Sequence, residues 1–110
     1  MKFKIAKNIY TEPCDDKIFK KALRKIAVKR PVQGIYVITK PLFDAGIMEI
    51  YNYSELLQPF YRKKKDTLHI IGIARSREAA KRIVCDILED AYSKCGSPDI
   101  DLLFGTGEKA

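Results

Sequence analysis

The sequence has one histidine, three cysteines and no apolar run approaching the length of a membrane span. Each scarcity removes a class of function. His69 alone makes neither a zinc site nor a base-activated nucleophile, because both need partners such as a cysteine or carboxylate at workable spacing, and none lies nearby. His69 shares a strand parity with Ile71 and Ile73 and reads as a structural histidine. Cys14, Cys85 and Cys95 show no paired spacing, and the last two would sit about 15 Å apart on one helix. All three read as thiols; Cys14 lies near a helix start, where the dipole can lower its pKa. With no span-length run and no signal-peptide stretch behind Met1-Lys2, the expected address is the cytoplasm.

Other partial motifs are also incomplete. Gly105-Thr106-Gly107 lacks the lysine and helix of a phosphate loop, and Asp99 with Asp101 is an ordinary polar strand face rather than a cation site. No catalytic residue, metal site or cofactor is therefore assigned.

What the chain does have is apolar content and positive charge. At 110 residues and 46% apolar it is expected to form one α+β domain over 1–104, with 105–110 as a loose tail. The net charge is +7, and residues 1–40 alone carry eleven Lys or Arg against three acids. The positive field is local.

The stretch from Thr67 to Cys95 is the clearest unit. An isoleucine-rich run, Leu68 to Ala74, reads as a strand covered on both faces. Ala80, Ile83, Val84, Ile87, Leu88 and Ala91 then follow the three-and-four spacing of an amphipathic helix, capped by Ser76 and stopped by Gly96 and Pro98. Before it, Lys2 to Lys7 alternates as a strand. Ile18, Phe19, Ala22, Leu23 and Ile26 make the apolar stripe of a helix over 15–29 that Pro31 should end. Gly34 to Thr39 reads as a second central strand. Phe43 to Gly46 reads as a turn and Ile47 to Tyr53 as its hairpin partner. A short helix is expected between Ser54 and Lys65, limited by Pro59, and a last strand over Asp99 to Phe104. This order suggests an α/β sandwich with a ferredoxin-like split βαβ arrangement, plus an inserted hairpin strand and short helix. Both long helices would then lie on one sheet face, leaving the other open for a homodimer.

The stretch His69-Ile70-Ile71-Gly72-Ile73-Ala74-Arg75-Ser76-Arg77-Glu78-Ala79-Ala80, preceded by Leu57-Gln58-Pro59-Phe60-Tyr61-Arg62, resembles small bacterial proteins of similar length with no assigned activity. The resemblance implies a free-standing cytosolic domain and carries over no activity.

Two basic surfaces are the candidate sites. Lys17, Lys20, Lys21, Arg24 and Lys25 fall within an arc of about 140° on the first helix, opposite its apolar stripe. Together with Arg62, Lys63, Lys64 and Lys65 they can meet a polyanion, either nucleic acid or an acidic protein; the alternative is a solvated lysine face. The turn Arg75-Ser76-Arg77 delivers a strand to a helix start and is the candidate for a small anion, the alternative being that Ser76 merely caps the helix. The aromatic signature of RNA-recognition sheets is absent, since Leu68 to Ala74 has no Phe, Tyr or Trp. Tyr36, Tyr51, Tyr53 and Phe60-Tyr61 remain as rings near cations. The leading expectation is a non-enzymatic binding or regulatory domain, then an electrostatic nucleic-acid-binding domain, then a small enzyme.

Overall fold

In the computed structural model the residues described are 2–11, 16–40, 48–63 and 65–96. They form an α+β domain with strands β1 (Lys2–Thr11), β2 (Tyr36–Thr39), β3 (Glu49–Asn52) and β4 (Thr67–Ala74). The helices are α1 (Asp16–Ala27), the single turns α2 (Tyr53–Leu56) and α3 (Pro59–Arg62), and α4 (Arg77–Cys95). The expected turn at 43–46 and the expected strand at 99–104 lie outside the described residues.

The four strands make one mixed sheet in the order β1-β4-β2-β3. The two strands with apolar residues on both parities, β4 and β2, are the central ones, as their patterns require. β1 runs parallel to β4, whereas β2 is antiparallel to both β4 and β3. A split βαβ unit does occur, but β3 and β4 make it around β2, with α2 and α3 as the connection. The helix expected to form it, α1, instead joins β1 and β2, which run in opposite directions.

This change of connection corrects the expected layering. Phe19, Ala22 and Ile26 of α1 pack with Leu56 of α2 on Val37, Tyr51, Leu68, Ile70 and Ile73. Ala80, Ile83, Ile87 and Ala91 of α4 pack with Ile38, Ile71 and Ala74 on the opposite face. The handedness rule applies to parallel crossovers, and the α1 connection is not one, so nothing forces α1 and α4 onto the same side. Each face carries a helix. The open sheet face on which a homodimer was expected is therefore not there, and self-association through it loses its reason.

Local signals explain most boundaries. Ser76 caps α4, its side chain accepting from the Ala79 amide at 3.1 Å, and Gly96 ends it at φ 74° with its amide donating to the Tyr92 carbonyl at 3.0 Å. α1 stops at Ala27, earlier than Pro31 suggested. Lys29 takes φ 60° there, while the amides of Lys29 and Arg30 donate to the carbonyls of Ile26 and Lys25 at 3.0 and 2.8 Å. This is a Schellman closure with lysine where glycine is usual, and the Lys29 ammonium lies 5.8 Å from the Phe3 ring centre. The short helix ends at Leu56, ahead of Pro59 as expected, and Pro59 opens a second turn at the first helical position, where a missing amide costs nothing.

The strand pattern slips once. Ile71 and Gly72, adjacent in β4, both face α4, and both ladders shift register beside them: Ile38 pairs Gly72 while Thr39 pairs Ile70, and Ile5 pairs Ile70 while Tyr10 pairs Gly72. Against β2 the extra residue lies in β4, which is bulged at its centre; against β1 the extra residues lie in β1, between Ile5 and Tyr10. Among the described residues no helix is long and apolar enough to cross a membrane.

Candidate anion-binding site

α1 buries Phe19, Ala22 and Ile26 and turns Lys17, Lys20, Lys21 and Arg24 to solvent, with Lys25 half-buried at the boundary. The sequence fixes this division, because three-and-four spacing of the apolar residues leaves the cations no other side. Beside α1, the segment leading into β2 and the turn leaving β4 close a pocket of about 400 Å³. Its charged lining is Lys21 and Lys25 from α1 and Arg75 from the β4–α4 turn. Its apolar lining is Ile18, Ala22, Val32 and Ile35. Gln33 and Gly34 complete it, and Gly34 has φ 71°, a conformation that side-chain-bearing residues seldom take. None of these residues is acidic.

The pocket sits where two central strands meet: Tyr36, at the start of β2, pairs Ala74, at the end of β4. The two candidate surfaces read from the sequence thus converge in part. Lys21 and Lys25 from one, and Arg75 from the other, come together at one pocket although more than fifty positions separate Lys21 from Arg75.

The remaining site residues are distributed otherwise. Ser76 is engaged as the α4 cap, and the Arg77 guanidinium stacks 5.5 Å from the Tyr36 ring centre. Of the three turn residues only Arg75 lines the pocket. Lys63 and Lys65, both exposed, precede β4, whereas Arg75 follows it. An eight-residue strand separates them by roughly 25 Å, so Lys63 and Lys65 lie at the other end of β4 from the pocket's arginine. The side chains of Arg62 and Lys64 lie outside the described residues.

The tyrosines considered as stacking rings are taken up inside the fold. Tyr51 and Tyr53 are buried, Tyr36 lies half-buried beneath Arg77, and Tyr51 meets Tyr61 edge to face at 5.8 Å. The Tyr51 hydroxyl donates to Glu49 Oε1 at 2.9 Å, and burial followed by that carboxylate pushes its pKa far above the ordinary phenol range. Tyr10 does the same for α4: its hydroxyl donates to Asp90 Oδ2, and burial, then Asp90 and Asp86, raise its pKa likewise. The first bond lies within β3, whereas the second ties β1 to α4. Pairing across eighty positions, as between Tyr10 and Asp90, leaves no local trace in a sequence.

Other reactive groups stand apart from the pocket. His69 is half-buried in β4, opposite Lys4 of β1, and Cys85 is an exposed thiol on α4. Cys14 lies outside the described residues. Among the described residues no three His, Cys, Asp or Glu side chains gather as a metal centre would require. Comparison of the chain with protein-family models, with curated proteins and with solved structures finds no match.

Proposed function

We propose that this is a non-catalytic binding domain that takes up an anion in the pocket between α1 and the β4–α4 turn. The observation that carries the reading is the convergence of Lys21, Lys25 and Arg75 on one concave surface, with no carboxylate among its described lining residues. Lysines offer mobile point charges, and arginine adds a planar fork suited to carboxylate or phosphate. Among the described residues around them there is no nucleophile with its base. Phosphate should raise the melting temperature more than chloride does at matched ionic strength. Lys25→Gln and Arg75→Gln should each weaken phosphate about tenfold, the worth of one charge-assisted hydrogen bond. An unchanged increment in the double variant would assign the effect to general salt exclusion and end the proposal.

A second reading rests on a separate observation: Lys17, Lys20 and Arg24 are exposed on α1 and lie outside the pocket. Nucleic-acid binding by this row would be electrostatic, since Tyr51 and Tyr53 are buried in the core and Tyr36 is half-buried beneath Arg77. Its salt slope should be about 0.7 to 0.9 log units per phosphate contacted. Replacing Lys17, Lys20 and Arg24 with Glu should abolish it. Undetectable binding at about 50 mM salt would remove this reading and leave the pocket untouched.

A further inference from the structure

We infer that the pocket's ligand is an amphiphilic anion: a phosphate monoester or carboxylate head joined to a short hydrocarbon or ring body. This rests on the pocket being the binding site, as proposed above. Two features of the lining carry it. Lys21 and Lys25 stand one helical turn apart on α1, and Arg75 comes from a different element, so a head group is approached from two walls. Among the described residues none that lines the pocket is acidic, so a cationic head would find no counter-charge among them.

The rest of the lining is unsuited to a simple ion. Ile18, Val32 and Ile35 form an apolar wall within the same cavity, and Ile18 keeps 38% of its surface exposed. A hydrated inorganic anion held by the three cations would leave that wall wet. A ligand with an apolar body covers it, gaining roughly three- to fourfold in affinity per methylene removed from water. At about 400 Å³ the cavity has the dimensions of a small-molecule site rather than of a macromolecular groove. The body is therefore short, and the gain should stop once the cavity is filled.

The test is calorimetric titration of the full chain with inorganic phosphate, then with linear alkyl phosphates of increasing length, and in parallel with alkyl carboxylates. The dissociation constant should fall about three- to fourfold per added carbon over the first few members and then level off. The series with the lower constants names the head group, and alkylammonium ions of the same lengths should not bind. Ile18→Ser, at a partly exposed position that folding can spare, should remove most of the chain-length gain. Lys25→Gln should weaken every member by a similar factor. Phosphate binding without any gain along either series would refute the amphiphile while leaving the anion pocket standing. A full gain retained in Ile18→Ser would place the apolar contact elsewhere and refute it too. Failure of phosphate and of every member would overturn both readings together.

Discussion

Tyr53→Ala is expected to lower stability by about 3–5 kcal/mol, the range for removing a fully buried aromatic ring. Tyr53 has no exposed surface although it opens a single-turn helix at the end of the β3 segment. Its ring meets Phe3 of β1 edge to face at 6.1 Å, and its hydroxyl donates at 2.9 Å to the Arg30 carbonyl just past the end of α1. Its own amide donates to the Ile35 carbonyl at 3.0 Å, ahead of β2. One residue thus ties β1, α1 and the β2–β3 hairpin, which is why burial raises its phenol pKa and keeps the hydroxyl a donor. Tyr53→Phe should cost only about 0.5–1.5 kcal/mol, since the Arg30 carbonyl lies at an exposed residue and water can replace the phenol. Urea denaturation of the two variants separates ring from hydroxyl. A loss below about 1 kcal/mol for the alanine variant would contradict the packing described.

Elements were legible in this sequence where one segment carries both its period and its punctuation. The β4–α4 unit is the clearest case: Ser76 and Gly96 mark the ends of α4, and both act as expected. What was not legible is direction. The same succession of strands and helices is compatible with α1 joining parallel or antiparallel strands, and that single difference decides whether α1 and α4 share a sheet face. Hydrophobic patterns state how much of an element must be covered, not by which partner. Apolar residues on both parities of β2 and β4 were satisfied by helices on opposite faces of the same chain rather than by a second copy.

The site was legible in composition and not in geometry. The cations of α1 are visible as a face, because helical spacing alone separates them from Phe19, Ala22 and Ile26. That Arg75 joins them depends on β4 lying beside β2, a long-range pairing that local sequence does not encode. The converse error is equally instructive. Tyrosines near lysines suggest a stacking surface, yet a small domain with helices on both faces of its sheet has more use for Tyr51 and Tyr53 as core residues. The one local clue left unused was Gly72, since an isolated glycine within an isoleucine-rich strand marks a bulge or a close approach.

Gly72 supplies the second large effect, and here the glycine is both. A Cβ at this position would lie 3.1 Å from Ile38 Cδ1 and from Ile83 Cγ2, and 3.3 Å from Ile38 Cβ. The missing side chain is what lets α4 settle on the bulged centre of β4. Gly72→Ala asks its neighbours to give by a few tenths of an ångström, an overpacking cost that the lower chain entropy of alanine in the unfolded state partly offsets. Gly72→Val places two further methyl groups between β2 and α4 and should cost about 3 kcal/mol, at the upper end of the overpacking range. Shape can be separated from backbone conformation by a double-mutant cycle. Ile38→Val deletes one of the two atoms that stand closest, so Gly72→Ala should cost less in that background than in the parent, with a coupling of about 0.5–1 kcal/mol. Strict additivity would mean that the Ile38 side chain does not limit the space at Gly72, and valine tolerated without loss would mean that neither β2 nor α4 packs closely on Gly72.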